Sequence, residues 1–505
     1  MAEAFAALLA RHPPSAEALS ALEGVPLTYG ELAELCRRTG ERLRGWGIDR
    51  GDVVAMALSG GPAAATAFLA VAAHAVAAPL NPAFRREEWR FYLEDLRPKA
   101  LLVGAEGPEE AVRAARALAV PVLRLRPRGE RAGDFDVARE DGRPAAAAAS
   151  VDPEIALILH TSGTTSRPKM VPLTRANLLS SAEHIAHSLA LGPEDRGLVV
   201  MPLFHIHGLV AALLAPLYAG GTVTVAPGFD ALKMVRWLAA SGATWMTAVP
   251  TMYQALLARA ERRREVRDGL RLRLLRSSSA PLPPQVAAEL ERIFAVPVIE
   301  AYGMTEAAHQ IASNPLPPGV RKPGSCGLPA GPRVALVDEA GRFTDSEGEV
   351  VISGPNLTPG YLRNPQANRE SFFVADERRW FRTGDLARFD EDGYLHLVGR
   401  KKEIINRGGE KVAPLEVDHV LLEHPAVAQA VTFAVPHPKL GEEVAAAVVL
   451  RPGVETSERE LRAFAAERLA SFKVPRRILF VEQIPKGPTG KLQRLGLARL
   501  LGLAP

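Results

Sequence analysis

Short apolar runs alternate with helix-like segments along most of the chain, and this alternation limits the possible folds more than any other feature. A helical pattern at residues 31–43 is followed by strand-like runs at 53–58 and 100–103. The same order returns with strand-like runs at 157–160, 197–201, 222–225 and 244–249 and helical segments at 175–189 and 231–240. Strands that alternate with helices usually form parallel sheets covered by helices. The sequence therefore predicts an α/β fold.

The pattern changes twice along the chain, which indicates more than one domain. A length of 505 residues corresponds to about three units of ordinary domain size. From about residue 333 the chain becomes rich in strand patterns and in Gly and Pro turns, and beyond residue 399 it is typical of a smaller α+β unit. We therefore predict a large N-terminal domain at residues 1–398, with layered α/β subdomains and a β-rich subdomain, and a small α+β domain at residues 399–505.

Composition excludes several classes of protein. Hydrophobic residues make up 47% and charged residues 23%, which is typical of a globular chain. A net charge of +4 does not indicate a nucleic-acid partner. The charge-free stretch at residues 54–84 contains three prolines and many alanines, which favours a buried helix and strand over an integral membrane span. Two cysteines without metal spacing and an N-terminus without a signal-peptide pattern predict a cytoplasmic location.

A hydroxyl-rich loop that ends in lysine is the first chemical signal. It directly follows an apolar run and has the sequence Thr-Ser-Gly-Thr-Thr-Ser-Arg-Pro-Lys from Thr161 to Lys169. Backbone N–H groups and hydroxyls donate hydrogen bonds to phosphate, and Lys169 adds positive charge. The spacing differs from that of a mononucleotide P-loop. The candidate polyphosphate ligands are Thr161, Ser162, Gly163, Thr164, Thr165 and Lys169.

Three further motifs follow in the sequence. Tyr302 and Glu306 share the run Ala-Tyr-Gly-Met-Thr-Glu, where a carboxylate offers the hard oxygen that Mg²⁺ prefers. Asp385 follows a Gly turn and could accept hydrogen bonds from two ribose hydroxyls, to which Arg400 could also donate. Lys491 lies in a Gly-rich loop near the C-terminus. Each motif alone is weak, because an Asp after Gly is often a turn residue and such a lysine is usually solvated.

Together and in this order, the four elements resemble the acyl-adenylate-forming superfamily. That group includes acyl-CoA synthetases, luciferases and the adenylation domains of peptide synthetases, and the resemblance covers nearly the whole chain from Leu27 to Lys491. Ser166 and the runs at 202–208, 247–251, 276–280, 304–309, 313–317 and 405–411 look like those of the oxalate–CoA ligases of plants and fungi. Met170 departs from the pattern, which has Gly at this position.

The resemblance implies a ping-pong reaction that uses ATP, Mg²⁺ and coenzyme A. A carboxylate and ATP first give an acyl-AMP and pyrophosphate, and the CoA thiolate then displaces AMP. Activation is needed because a carboxylate is a poor electrophile, and cations must stabilise the charge that develops near the α-phosphate. The implied partner is a small carboxylic acid, while the oligomeric state is not indicated.

The resemblance also implies a role for each matching residue. The loop from Thr161 to Lys169 would hold the triphosphate, Tyr302 and Thr305 would contact the nucleotide, and Asp385 and Arg400 would hold the ribose. Lys491, Thr305 and Glu306 would form the catalytic set, with Glu306 positioning Mg²⁺ and Lys491 bridging the carboxylate and the phosphate. Lys402 would be the hinge of a mobile C-terminal domain, and Gly409 would admit the pantetheine thiol because it lacks a Cβ.

The expected acyl pocket is short and polar. Oxalate has no hydrocarbon tail, and its second carboxylate needs donors because an unpaired buried charge is costly. His207, His309 and Ser279 are the candidates, and His205 matches a gating histidine of plant phenylpropanoid ligases. Arg276 is a less favoured counter-ion, since alternate residues of a strand face opposite sides and Arg276 and Ser279 would need a turn between them to share one pocket.

Other functions remain open at this stage. The acid could instead be malonate, another small acid or a short- to medium-chain fatty acid, although an aliphatic tail would leave the pocket histidines unpaired. A carrier-loading adenylation domain usually has an Asp near residues 204–205, which is absent here. A non-catalytic ATP-binding relative would have no need of Lys491, Glu306 and Asp385.

We expect Lys491→Ala to lose adenylation, measured as acid-dependent pyrophosphate release, because the cation that bridges carboxylate and phosphate is removed. The second half-reaction is the internal control, since transfer from supplied acyl-AMP to CoA should be largely kept. An equal fall in both half-reactions would contradict the assignment of this lysine.

Overall fold

The computed structural model describes residues 4–140, 150–161, 168–260, 269–485 and 494–504. Four β-sheets form within these ranges, of nine, seven, six and five strands. We call them the large sheet, the second sheet, the β-rich sheet and the C-terminal sheet. The predicted α/β class is confirmed, and the sheets follow the predicted change from α/β layers to a β-rich region and then a small α+β unit.

The large sheet joins strands from the start and the middle of the chain. Its central strands pair in parallel, and antiparallel pairs stand at both edges. In sheet order the strands are Leu328–Pro329 (β16), His309–Ser313 (β15), Val298–Met304 (β14), Leu274–Ser277 (β13), Trp245–Ala248 (β12), Arg196–Val199 (β10), Thr222–Val225 (β11), Glu17–Ser20 (β1) and Leu27–Thr28 (β2).

The second sheet is also mainly parallel. Its last pair, β8 with β9, is an antiparallel hairpin that sets Thr161 opposite Lys169, the two ends of the hydroxyl-rich loop. Ser162, Gly163, Thr164 and Thr165 lie outside the described residues. In sheet order the strands are Phe135–Arg139 (β7), Val122–Pro127 (β6), Ala100–Val103 (β5), Val53–Ala57 (β3), Val76–Pro79 (β4), Ile155–Thr161 (β8) and Lys169–Thr174 (β9).

The remaining two sheets complete the chain. The β-rich sheet is antiparallel and comprises Phe343–Thr344 (β18), Arg333–Val337 (β17), Gly348–Ser353 (β19), Arg378–Phe389 (β21), Phe372–Ala375 (β20) and Leu395–Arg400 (β22), which pairs with β21. The C-terminal sheet comprises Glu410–Val412 (β24), Ile405–Arg407 (β23), Gly441–Leu450 (β26), Val427–His437 (β25) and Arg477–Phe480 (β27), which pairs with β26. The two sheets are joined by residues 401–404, close to the boundary at 398/399, which stays a prediction.

The helices cover these sheets. They are Ala4–Ala10 (α1), Tyr29–Gly45 (α2), Pro62–His74 (α3), Arg86–Leu96 (α4), Glu109–Ala117 (α5), Arg175–Ser188 (α6), Ala215–Tyr218 (α7), Met234–Ser241 (α8), Pro250–Ala260 (α9), Pro284–Phe294 (α10), Pro365–Ser371 (α11), Pro414–Glu423 (α12), Glu458–Ala466 (α13) and Leu497–Leu500 (α14). A π-helix spans His207–Leu214 and a 3₁₀ turn spans Thr305–Ala307. Helix α2 begins two residues before the expected start because Thr28 and Glu31 form a capping box.

Helix α3 is apolar on all sides because it lies between two sheets. It contacts β4 and β8 of the second sheet and β11 of the large sheet, and its residues from Ala64 to Ala73 are buried. A helix that is hydrophobic all round is one that is enclosed. The charge-free stretch at residues 54–84 therefore folds as the predicted buried helix and strand. No helix within the described ranges is long and apolar enough to span a lipid bilayer.

The packing around α3 predicts that the helix has no room for a larger side chain at its centre. Ala67 is fully buried, so Ala67→Leu should lower the free energy of unfolding by about 1–3 kcal/mol, measured by denaturant titration. Ala63→Leu is the matched control, because Ala63 is exposed on the same helix and should tolerate the change. Equal stability of the two variants would contradict the enclosed position of α3.

Candidate active site

A cavity of about 930 Å³ opens where the large sheet, the β-rich sheet and the C-terminal unit meet. The expected site residues on its wall are Thr161, Lys169, His205, His207, Ser279, Tyr302, Thr305, Glu306, Asp385, Arg400 and Lys402. Its size lies within the range of small-molecule sites. The structure thus brings most of the sequence-predicted residues into one space, although Lys491 lies outside the described residues and His309 and Gly409 do not line the wall.

Segments at the ends of parallel strands of the large sheet form much of this wall. Residues 249–251, 279–283 and 302–306 line the cavity, and they follow or end β12, β13 and β14, three neighbouring parallel strands. Ligands of open α/β sheets bind outside the carboxyl ends of the strands. Three motifs that are far apart in sequence therefore lie side by side.

Asp385, Arg400 and Tyr302 form one polar group. Asp385 and Arg400 are directly opposite each other on β21 and β22, and Arg400 Nε lies 3.1 Å from Asp385 Oδ1. The Tyr302 hydroxyl donates to Asp385 Oδ2 at 2.5 Å. Burial and the neighbouring Asp385 carboxylate raise the pKa of Tyr302, and that carboxylate also raises the pKa of Arg400. The tyrosine hydroxyl therefore stays a donor that holds the carboxylate in place.

Glu306 is part of a second group with Tyr361 and Lys169. The Tyr361 hydroxyl donates to Glu306 Oε1 at 2.9 Å, and Lys169 Nζ lies 4.4 Å from the centre of the Tyr361 ring. Burial raises the pKa of the Glu306 carboxyl and lowers that of Lys169. An added divalent cation or phosphate would find one carboxylate and one ammonium group on the same stretch of wall.

These residues fit a magnesium ion that is shared with a phosphate ligand. No group of three or more His, Cys, Asp and Glu side chains that could hold a metal occurs among the described residues. Mg²⁺ is commonly held by one or two carboxylates together with substrate phosphates rather than by an all-protein cage. The buried carboxylate of Glu306, which lines the cavity near Lys169, matches that arrangement.

His207 and Ser279 form another polar part of the cavity wall. His207 Nδ1 lies 3.0 Å from Ser279 Oγ, and His207 Nε2 lies 2.6 Å from Thr247 Oγ1. His207 opens the π-helix, and Gly208 allows this geometry because a Cβ there would stand 2.3 Å from the Pro202 carbonyl oxygen. π-Helical turns are rare and often occur at functional sites. This wall is polar even though the neighbouring residues are largely apolar.

Arg276 and Ser279 occupy different environments, as the strand argument anticipated. Strand β13 ends at Ser277, and Ser279 lies in a turn with a left-handed φ of 74°, which is uncommon for a residue other than glycine. Arg276 stays within the strand, fully buried behind the wall. Its NH1 lies 3.2 Å from Thr247 Oγ1, so the guanidinium contacts the same hydroxyl as His207.

His309 is placed differently from the expectation that it faces the acid directly. It is buried behind His207, with the two rings stacked at 4.8 Å between centres. Its Nε2 lies 3.2 Å from Arg276 NH1. The reason is the tight antiparallel turn from β14 to β15, in which His309 has a φ of 107°. Any influence of His309 on a ligand in the cavity is therefore exerted through its neighbours.

His205, Lys402 and Gly409 lie near the edges of the site. His205 lines the cavity beside Phe204, with the ring centres 4.5 Å apart. Lys402 lines it from the exposed turn between β22 and β23. Gly409 has a φ of 97° in the hairpin turn between β23 and β24, so the turn itself requires glycine, and a Cβ there would meet open space. The proposed roles of these residues stay predictions.

Sequence reasoning missed Tyr361, Thr247 and Glu300. Thr247 belongs to one of the quoted runs, but only its contacts with His207 and Arg276 in the structure suggest a role in the site. Glu300 precedes Tyr302 on β14, lines the cavity and accepts a hydrogen bond from the Leu282 N–H at 3.0 Å. Glu300 lies two residues before Tyr302 on a strand, so both side chains face the same side. This spacing could have identified Glu300 as a cavity residue from the sequence.

Comparison with known proteins identifies the family. The model of the AMP-binding enzyme matches residues 5–362, and that of the AMP-binding enzyme C-terminal domain matches residues 416–491. The chain belongs to the AMP-binding enzyme family. It is an AMP-forming acid–CoA ligase, as the sequence predicted, and enzymes of this type use ATP and CoA.

Two curated relatives and one solved structure are similar over nearly their full length. The chain is 45% identical to an oxalate–CoA ligase of Arabidopsis thaliana over 497 residues, which cover 96% of each chain. It is 39% identical to an oxalate–CoA ligase of Saccharomyces cerevisiae over 478 residues, which cover 89% of this chain and 87% of the yeast enzyme. ATP-bound MatB from Rhodopseudomonas palustris has a TM-score of 0.86 and 31% identity, with 97% of each chain covered.

The buried carboxyl of Glu300 predicts a pH dependence of stability. Burial raises its pKa from 4.5 to about 7, so between these values the folded protein holds a proton that the unfolded chain releases. The stability that neutral Glu300 contributes is therefore present at low pH and is lost as the pH rises through about 7. We expect the free energy of unfolding of the wild type, relative to Glu300→Gln, to fall by up to about 3 kcal/mol between about pH 5 and about pH 8.

Glutamine is the reference because it is neutral and keeps the acceptor for the Leu282 N–H. The comparison is made without ligand by denaturant titration at each pH. Glu482→Gln serves as the control, since Glu482 is exposed and its removal should give a difference that does not change with pH. A flat difference for Glu300→Gln as well would show that the carboxyl is not held neutral in the folded protein.

Proposed function

We propose that this ligase activates oxalate, forming oxalyl-AMP from oxalate and ATP and then oxalyl-CoA by displacement of AMP. The observation that carries the proposal is a buried cation, Arg276, that pairs with no carboxylate among the described residues. Arg276 is fully buried beside the polar end of the cavity, and no carboxylate within the described ranges forms an ion pair with it. Burial lowers the pKa of Arg276 to about 10, so the guanidinium remains charged at neutral pH.

A second negative charge on the substrate would complement this cation. One carboxylate of oxalate reacts at the α-phosphate, and the other would extend toward Ser279 and His207, which lie in front of Arg276. A buried charge without a partner is costly. An anion bound at this end would therefore be stabilised by the uncompensated positive charge of Arg276. The high identity to the two relatives named oxalate–CoA ligase supports the same acid.

An aliphatic acid suits this end of the cavity poorly. A methyl or methylene group next to Ser279 and His207 would replace water without offering hydrogen bonds. Leaving a buried donor or acceptor unsatisfied costs about 1–3 kcal/mol for each group. A medium-chain fatty acid would therefore gain from apolar contacts elsewhere on the wall but lose at this end.

The remaining site residues are assigned as follows. Lys169 and the loop before it would bind the triphosphate, with Tyr302 and Thr305 against the nucleotide and Asp385 and Arg400 on the ribose. Glu306 would hold Mg²⁺, which supplies positive charge to the phosphate oxygens when it is bound. Lys491 would stabilise the charge that develops between the carboxylate and the α-phosphate. Lys402 would serve as the hinge and Gly409 would admit the CoA thiol.

Measurement of pyrophosphate release with Mg-ATP and CoA tests the choice of acid. The panel is oxalate, malonate, acetate, octanoate and a hydroxycinnamate. We expect kcat/KM for oxalate to exceed that for each of the other acids by about tenfold or more, since one well-placed ionic hydrogen bond contributes about 1.5–3 kcal/mol.

The same panel distinguishes the alternatives. A preference for malonate would be consistent with a pocket for a dianionic acid, but the group that binds the second carboxylate would then lie farther from the α-phosphate. A preference for octanoate or the hydroxycinnamate would leave the adenylation chemistry intact and overturn oxalate as the substrate.

A further inference from the structure

Four polar side chains form a continuous chain of hydrogen bonds from the buried cation to the cavity. Arg276 NH1 lies 3.2 Å from Thr247 Oγ1, and Thr247 Oγ1 lies 2.6 Å from His207 Nε2. His207 Nδ1 in turn lies 3.0 Å from Ser279 Oγ. Ser279 and His207 line the cavity, whereas Thr247 and Arg276 are buried behind them.

The guanidinium sets the direction of this chain. Arginine can only donate, so Thr247 Oγ1 accepts from Arg276. The Thr247 hydroxyl then has its own proton to donate, and His207 Nε2 is the acceptor at the shortest distance in the chain. An imidazole that accepts at Nε2 carries its proton at Nδ1 when it is neutral. His207 therefore donates from Nδ1 to Ser279 Oγ.

Ser279 is consequently left with its hydroxyl proton free to point into the cavity. In the opposite direction, Ser279 would donate to His207 and present only lone pairs to a carboxylate, which would repel it. The opposite direction would also turn the Thr247 proton away from His207, on the side of the positively charged guanidinium. One orientation of three hydrogen bonds thus decides whether this wall attracts or repels an anion.

Two further contacts hold the guanidinium in its place. Arg276 NH2 donates to Gln310 Oε1 at 3.2 Å, and Arg276 NH1 lies 3.2 Å from His309 Nε2, which must accept there. Gln310 is itself oriented, because its Nε2 donates to Ser188 Oγ at 2.9 Å and to the Ala330 carbonyl oxygen at 3.2 Å. Its Oε1 therefore faces the guanidinium, and the first donor of the chain is fixed on two sides.

We propose that Thr247 and Arg276 are positioning residues for acid selection, which orient His207 and Ser279 so that the serine hydroxyl donates to the anionic far end of the substrate. The inference rests on the proposed function, because it needs an acid with a second negative group. Neither residue touches the substrate. Their effect is transmitted through the histidine, and hydrogen-bond chains of this kind strengthen along their length in a low-dielectric interior.

The test uses Thr247→Val, which keeps the shape of the side chain and removes the hydroxyl that joins Arg276 to His207. Two constants are measured in the whole enzyme, the KM for oxalate and the inhibition constant of oxamate against oxalate. Oxamate has the size of oxalate but carries a neutral amide in place of one carboxylate. In Thr247→Val we expect the preference for oxalate over oxamate to fall by about ten- to a hundredfold, mainly through KM, because a hydrogen bond to a charged group is lost.

Thr247→Ser is the matched control, since it restores a hydroxyl at the same position and should keep the preference within about threefold of the wild type. Arg276→Met provides a second variant that removes the donor at the start of the chain and should act in the same direction. Folding of each variant is checked by its melting temperature. A role in packing alone would weaken both ligands equally or reduce kcat, and either result would overturn the proposal.

Failure of the inference and failure of the proposed function give different results. If the wild type does not prefer oxalate over octanoate and the hydroxycinnamate, oxalate is wrong as the substrate and the inference falls with it. If the wild type prefers oxalate and Thr247→Val keeps the oxalate-to-oxamate preference, the proposed function stands. Only the role of the hydrogen-bond chain from Arg276 to Ser279 is overturned.

Discussion

The parallel hydrogen bonding of β12, β13 and β14 is the constraint on which the site depends. Parallel strands end on the same side of a sheet, so the segments that leave these three strands meet at one edge. Residues from Val249, Ser279 and Tyr302 onward thereby share a cavity although up to about fifty residues separate them in the sequence. The antiparallel β-rich sheet then adds Asp385 and Arg400 from a facing hairpin. Without the parallel register, the segments that follow β12, β13 and β14 would not meet at one edge.

A second constraint is the cost of the buried cation that the same strands carry. Arg276 on β13 stands next to Thr247 on β12, to which it is paired in register, and near His309 and Gln310 on β15. Among the described residues its side-chain partners are neutral acceptors that contact NH1 and NH2, while the buried Nε has no partner there, so neither the charge nor every donor is satisfied. A buried positive charge of this kind favours an anion nearby. Under the proposed function, the fold couples this buried charge to the choice of acid at the cavity wall.

Much of the fold and part of the site could be predicted from the sequence because the signals are local. The strand-like runs at 100–103 and 222–225 match β5 and β11, and the helical segment at 175–189 matches α6 to within one residue. The sequence analysis also assigned Asp385 and Arg400 to one ribose, and the structure sets them opposite each other on β21 and β22. Thr247, Tyr361 and Glu300 were not found, because their partners come from other elements: the Tyr361 hydroxyl meets Glu306 across 55 residues of sequence. His309 was expected at the wall because its neighbour in sequence is Glu306, yet the turn between β14 and β15 directs it behind His207.

The amino-acid sequence by itself determined the α/β class, the order of the motifs and the family to which they belong, since each of these depends on residue type and spacing alone. Only the tertiary structure decided which side chains face the cavity, which lie behind it and which polar groups contact one another. These properties depend on distances and burial between residues that are remote in sequence. Arg276 illustrates the difference. Its charge was evident from the sequence, but its lack of an ion pair with any carboxylate that the structure describes, and its hydrogen-bonded link to Ser279, arise from the pairing of three strands and the turn that follows them.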